Sequence, residues 1–333
     1  RLQKLILDIV HKNQYGFLRG RMIQDCLSWT FEYIHQCQSS KRPIVLLKLD
    51  FAKAFDTIEH SSMLEIMRHM GFDDRWLNWM STLFGSGTSS NPLSPLFFVL
   101  AADLLQAAIN DPHRNGLISL LIPARGLTDY LVVQYADDTI LLMQACPEQA
   151  RTMKQILVDY VDSIGLKINF QKSVLVPLNV EDDVVADLAQ IWQCSIGSTP
   201  FTYLGPPMGT TRPTMTDLMP MVDKVERKLS SSLCLMDQGS KLTLLNSLIT
   251  SLMIYPMCTI KLPPKLIEHL DKHRRRCLWC RKTKNGETSN SLAAWNLVCP
   301  HKKHGGPGVL DTKIQNMALL LKFLPSFYNK KDI

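Results

Sequence analysis

The chain has 333 residues, 46% of them hydrophobic, and a formal net charge of +7; this is enough apolar material to bury one large core or two moderate ones, which excludes a disordered tail as the main product. Nine cysteines, an odd number, with no secretory leader argue against a disulfide framework, so reduced thiols are expected. The longest apolar run, Leu96 to Leu105, is interrupted by Asp103 and is too short to cross a bilayer.

No secretion or membrane signal is present, so cytoplasm and nucleus are the expected locations. Because the chain starts at Arg1 without a methionine, its N-terminus is expected to be incomplete. Charge is unevenly spread: residues 1–48 hold eight Lys or Arg against three acids, residues 261–304 eleven against three, and residues 101–200 six against twelve. Basic flanks suit a phosphate backbone and an acidic centre suits divalent cations, so polymerases and nucleases become candidates beside ordinary surface charge.

Leu2 to Val10 and Gln24 to Gln36 repeat apolar residues at helical spacing on either side of a glycine-bearing loop. Ile44 to Leu49 reads as a strand ending at Asp50, with a helix over Ser61 to Met70. After a Gly, Ser and Thr-rich stretch from Gly85 to Asn91, Ser94-Pro95 predicts a helix start with a capping hydroxyl, the helix running to Asn110. Leu131 to Tyr135 and Thr139 to Met143 flank Ala136, Asp137 and Asp138 as a hairpin with a carboxylate tip. A helix over Glu148 to Ile164 stops at Gly165, followed by strand-like runs Leu166 to Phe170 and Val174 to Leu178. From Asp217 onward the pattern is mainly helical, which predicts a second, helical domain.

Nucleotidyl transfer needs two divalent cations about 3.5 to 4 Å apart, held by carboxylates that converge from separate strands. Asp50 at one strand end and Asp137-Asp138 at a hairpin tip supply such carboxylates if an antiparallel sheet pairs the strands. Taken alone, an Asp-Asp turn is also ordinary turn chemistry.

Segment 48–56, Lys-Leu-Asp-Phe-Ala-Lys-Ala-Phe-Asp, and segment 135–138, Tyr-Ala-Asp-Asp, resemble motifs A and C of reverse transcriptases. Segments 13–21 before motif A, 92–97 at motif B, 165–173 at motif D and Tyr203-Leu204-Gly205 at the primer grip extend the resemblance. With Ala294-Trp295, Gly305-Gly306 and 316–320 it reaches the non-LTR (LINE-type) retrotransposons, plant elements in particular. It implies an α+β right-hand polymerase with an antiparallel-sheet palm, finger elements and a helical thumb. Residues 1–48 would be finger-like, 49–210 the palm, and 211–333 the thumb and connection. The implied activity is RNA-directed DNA synthesis on an RNA template from a DNA primer and deoxynucleoside triphosphates, with two Mg²⁺ ions or Mn²⁺ in their place.

By the same resemblance Asp50, Asp137 and Asp138 would be the catalytic metal ligands, Asp138 the weaker one, and Asp56 structural. Phe55 would lie under the incoming sugar and reject a ribose 2′-hydroxyl, with a core aromatic as the other reading. Lys172 and Arg21 would meet the nucleotide, although both residue types are commonly surface groups. The chain departs from the family where segment 87–90 runs directly into Asn91-Pro92: on the order of twenty residues are missing relative to the family layout, as in an internal deletion. That departure leaves open a second reading, a catalytically inactive nucleic-acid-binding remnant using basic segments 272–276 and 281–284. Cys277, Cys280, Cys299 and His301, with His304 nearby, form a weaker zinc candidate, opposed by the helical setting of the first two cysteines.

Overall fold

The computed structural model describes residues 2–55, 57–85, 93–121, 132–229, 236–283, 286–288, 290–300 and 302–323. Two compact units emerge, Arg1–Leu204 with Met208–Thr211, and Gly205–Pro207 with Arg212–Ile333.

The first unit runs α1 (Leu2–Ile9), α2 (Ile23–Ser39), β1 (Ile44–Leu49), α3 (His60–His69), α4 (Asp74–Gly85), α5 (Ser94–Arg114), β2 (Val132–Tyr135), β3 (Asp138–Gln144), α6 (Pro147–Ile164), β4 (Val174–Leu178), α7 (Asp182–Trp192) and β5 (Ser195–Ile196). The five strands form one sheet in the order β2-β3-β1-β4-β5. β1 sits at its centre because Ile44, Val45, Leu46 and Leu47 have no exposed surface, the composition of a strand covered on both faces. It pairs antiparallel with β3 and β4, whereas β5 joins β4 in parallel. The sheet is therefore mixed rather than antiparallel throughout: α7 carries the chain back across the sheet, so β5 enters in the same direction as β4.

On one face, Val45, Leu47 and Leu49 belong to a core shared with residues of α3, α5 and α6. α5 is buried on every side over Phe97 to Ala102, as a helix at the centre of a core must be. α2 packs against β2. Gly165 ends α6 with φ 76°, and an added Cβ there would come within 2.5 Å of Glu59 Cγ, so conformation and space both call for glycine.

Several local expectations change. Leu93, not Ser94, holds the N-cap position of α5 and makes no side-chain cap bond; the helix continues to Arg114 with Pro112 inside it. Segment 166–170 is not a strand and contributes a single bridge, Phe51 to Ile168. α4 and α7, absent from the sequence reading, are amphipathic helices that bury Leu77 and Met80 in one case and Val185, Leu188 and Trp192 in the other.

The second unit contains α8 (Met215–Leu229), α9 (Gln238–Leu244), a π-helical turn Leu245–Ile249, α10 (Thr250–Met257), α11 (Pro264–Trp279), a hairpin of Arg281–Thr283 with Gly286–Thr288, α12 (Trp295–Val298) and α13 (Thr312–Leu320). α11 is its hub, packing against α8, α9 and α13. Buried Asn316 closes the end of α10: its Nδ2 donates to the carbonyls of Met257 (2.8 Å) and Ile260 (2.9 Å), and its Oδ1 accepts from Leu262 N at 2.9 Å. These carbonyls would otherwise be orphaned at a helix terminus. Among the described residues no helix is long and apolar enough to cross a membrane.

Candidate active site

Asp50 immediately follows β1, and its backbone is fixed by the segment between α6 and β4. Its N–H donates to Ser173 Oγ (3.1 Å), its carbonyl accepts from Asn169 N (2.8 Å), and Ser173 Oγ donates in turn to the carbonyl of Asn169 (2.9 Å). Ser173 is fully buried, so these bonds are not exchangeable for water and hold the strand end firmly. Ala52 N donates to Lys167 O at 2.8 Å, extending the attachment beyond Asp50.

β2 and β3 form the expected hairpin, with Tyr135 opposite Asp138 and Ala136-Asp137 as its turn. Leu49 of β1 pairs with Thr139 of β3, so the next residues along, Asp50 and Asp138, come level on neighbouring strands with Asp137 one residue away at the tip. Cross-strand partners share a face of the sheet. Lys48, two residues before Asp50, faces the same way, and its Nζ donates to Thr202 O at 3.2 Å.

The hairpin tip is strained and clamped. Ala136 adopts φ 55°, a left-handed conformation that costs a non-glycine residue on the order of 1 kcal/mol. Buried Gln14 holds it, its Oε1 accepting from Ala136 N (3.0 Å) and from Gly16 N (2.9 Å). The backbone of 13–15 runs beside β2, with Gln134 N donating to Asn13 O (3.0 Å) and Tyr15 N to Gln134 O (2.8 Å). Gly16 lies so close that a Cβ there would sit 2.3 Å from Ala136 N. From the other side, the buried Tyr203 hydroxyl donates to Asp138 O at 3.1 Å and lies 3.8 Å from Cys26 Sγ.

Arg21, read from the sequence as a nucleotide contact, directs its guanidinium to three backbone oxygens: His11 O (2.5 Å), Gln14 O (2.6 Å) and Val10 O (3.0 Å). It braces the loop that carries Gln14. Phe55 lies at the margin of the core, 36% exposed, its ring 5.1 Å from that of buried Phe98 and 5.9 Å from that of Phe17. Lys172 is exposed beside Ser173, with its backbone N–H bonded to Asn169. Asp56, segment 86–92 with the expected deletion, and His301 lie outside the described residues.

Burial pushes the Asp138 carboxyl above the usual range; Lys48 pulls it down, and Asp137 and Asp50 push it up. Asp138 thus senses both neighbouring carboxylates through space. A half-buried group of like charges faced by one lysine is a donor set suited to hard divalent cations.

The zinc candidate fares differently. Cys280 is disulfide-bonded, contrary to the expectation that all thiols are reduced, and so offers no thiolate. Burial raises the Cys277 thiol to about 11, away from the thiolate form a metal needs. Within basic segment 272–276, Arg274 is 3% exposed and donates to Asp271 (2.8 Å), to Leu310 O (2.6 Å) and to Thr312. Arg275 stacks on the Trp295 ring at 5.6 Å. These two arginines are structural groups of the second unit.

The sequence reading included Gln14, Gly16, Lys48 and Ser173 within the family-like segments 13–21, 48–56 and 165–173 but gave them no role at the site. Only the parity of Lys48 with Asp50 along one strand was available from spacing; the others depend on long-range pairing.

Residues 1–208 match the family described as reverse transcriptase (RNA-dependent DNA polymerase), and the chain belongs to that family. Among curated proteins it is 24% identical over 189 residues to a retrovirus-related Pol polyprotein from type-1 retrotransposable element R2 of Popillia japonica, covering 50% of this chain and 25% of that protein. It is 24% identical over 190 residues to the 149 kDa protein of transposon TX1 from Xenopus laevis, covering 52% of this chain and 14% of that protein. A third relative, named as a ribonuclease H protein of Arabidopsis thaliana, is 35% identical over 84 residues, covering 25% of this chain and 13% of that protein. R2 and TX1 are non-LTR retrotransposons, the branch to which the motifs pointed. The chain spans a quarter or less of the length of these relatives.

Proposed function

We propose that this chain performs RNA-templated DNA synthesis, extending a DNA primer with deoxynucleoside triphosphates. The observation that carries the reading is the strand register that brings Asp50 level with Asp138 beside the Asp137 turn. Two divalent cations, Mg²⁺ or Mn²⁺, would be held by Asp50 and Asp137 with Asp138 in support, and supply activation of the primer 3′-hydroxyl and stabilisation of the leaving pyrophosphate.

The chain's own groups do the rest. Lys48 offsets part of the carboxylate repulsion. Ser173 and Asn169 hold the Asp50 backbone, while Gln14 and Gly16 hold the turn, so that the carboxylates are preorganised before substrate arrives. The Phe55 edge excludes a ribose 2′-hydroxyl, and Lys172 donates a proton toward pyrophosphate. The sheet with its covering helices acts as the palm, the N-terminal region as finger elements and the second unit as thumb. Arg21 is better assigned to bracing the clamp than to touching nucleotide.

The shortened segment before Asn91 favours one competing reading, a remnant that binds nucleic acid without catalysis, because the missing residues would help position template and nucleotide. Primer extension on an RNA template with Mg²⁺ separates the two, comparing the chain as it stands, Asp137→Ala, and a version with about twenty family-derived residues inserted before Asn91. Extension by the unmodified chain that disappears in Asp137→Ala supports a working polymerase. Extension only after insertion establishes the remnant, and extension that persists in Asp137→Ala sinks the assignment of the carboxylates.

A further inference from the structure

In the second unit, two histidines one helical turn apart on α11 and a carboxylate on α8 converge on a single point. His269 and His273 stand at i and i+4, on one face of the helix, and both direct Nε2 at Glu226. The separations are 2.7 Å from His273 Nε2 to Glu226 Oε1, 3.5 Å from His269 Nε2 to the same oxygen, and 3.2 Å between the two Nε2 atoms. All three ligand atoms lie within 4.8 Å of one another, and the side chains are partly buried.

Hydrogen bonds can satisfy at most two of the three edges of this triangle at once. A neutral imidazole presents one hydrogen on one nitrogen. If His273 Nε2–H donates to Glu226, the same nitrogen cannot also accept from His269. If His269 donates to His273, the His273–Glu226 edge has no proton. Full protonation of both rings leaves the edge between the two Nε2 atoms without an acceptor and sets two cations against each other. A cation at the centre satisfies all three edges. Ligands about 2.0 to 2.1 Å from a tetrahedral Zn²⁺ are separated by about 3.3 Å, and the observed edges of 2.7, 3.2 and 3.5 Å bracket that value.

We propose that Glu226, His269 and His273 form a metal site for a borderline divalent transition ion, Zn²⁺ in particular, with water in the fourth position, that cross-links α8 to α11. Two nitrogens and one oxygen select against Mg²⁺ and Ca²⁺, which require more oxygen ligands. The site uses neither the cysteines nor the carboxylates of the first unit as ligands, and it holds whether or not the chain polymerises DNA.

The test uses the full chain, stripped with chelator and titrated with ZnCl₂ or CoCl₂ alone, against Glu226→Gln and the double variant His269→Ala/His273→Ala. The wild-type chain is expected to take up one more Zn²⁺ than the double variant, to melt at a higher temperature with Zn²⁺ than without, and to bind at least about tenfold more tightly than Glu226→Gln. Bound Co²⁺ should show tetrahedral visible absorption with no thiolate charge-transfer band. Glu226→Gln keeps shape and removes charge, so its loss of affinity is readable even if the double variant fails to fold. Equal Zn²⁺ affinity in the wild type and Glu226→Gln would overturn the site, and so would a charge-transfer band, which would put the ion on cysteine.

Discussion

Gly16 shows how a single residue can govern a site to which it contributes no side chain. Any Cβ at this position meets the Ala136 backbone, and Ala136 already holds a left-handed conformation. The Gly16→Ala chain must displace either its own loop or the carboxylate turn. It should lose about 1 to 3 kcal/mol of stability, read as a lower urea midpoint, and at least about tenfold in primer extension, because sub-ångström placement of the carboxylates is what preorganisation provides. A variant with wild-type extension would show that the turn tolerates movement. Phe55 is the second residue-scale case. With its ring tilted against that of buried Phe98 and about a third of the residue exposed, it is neither a plain core residue nor a free surface one. Phe55→Val should raise incorporation of ribonucleotides relative to deoxynucleotides by on the order of tenfold or more, as expected when a steric exclusion is removed. Unchanged sugar discrimination would return Phe55 to a packing role.

Among the elements, α5 does more than fill the core. Its Asp103 accepts from His11 N at 2.7 Å, and its Gln106 accepts from Asn13 Nδ2 at 3.5 Å. Gln134 Nε2 of β2 donates to the α5 carbonyl of Ala102 at 3.3 Å. One helix therefore holds both the Gln14 loop and the strand leading to the carboxylates. Burial raises the Asp103 pKa, while the His11 N–H bond, His11 and Arg21 lower it. A carboxyl whose folded pKa exceeds its unfolded value contributes stability that is present below the unfolded pKa, about 3.9, and is lost as pH rises through the folded value. Asp103→Asn retains an acceptor without the titration. In urea unfolding across the acidic range, the wild type should lose stability relative to Asp103→Asn as pH rises. A difference that is flat with pH would mean that Arg21 and His11 fully compensate the burial.

At the scale of the molecule, the charge distribution carries the expectation. With a net charge of +7 and basic stretches on either side of an acidic centre, binding to an RNA–DNA primer–template should weaken as salt rises, giving a negative slope of log affinity against log salt through counterion release. A slope near zero would exclude backbone contact as the main source of affinity. Removal of Arg274 or Arg275 should change stability more than that slope, since both are engaged within the second unit.

The reverse transcriptase family was legible in the resemblance of segments 48–56 and 135–138 to motifs A and C, and several elements were legible locally: the strand Ile44 to Leu49 ending in Asp50, the hairpin closed by Tyr135 and Asp138, and the Gly165 stop of α6 are each set by side-chain branching, turn chemistry or a positive φ. The same is true of the mixture of helices and strands. Tertiary structure alone decided that the sheet is mixed, that segment 166–170 ties down Asp50 rather than forming a strand, that Arg21 braces a loop, and that Glu226 meets His269 and His273. The physical reason is range. Periodicity and turn residues report on neighbours a few positions apart, whereas Gln14 meets Ala136, Ser173 meets Asp50, and Glu226 meets His273 only after the chain has closed long loops, and no local pattern encodes which distant backbone group a buried polar side chain will find.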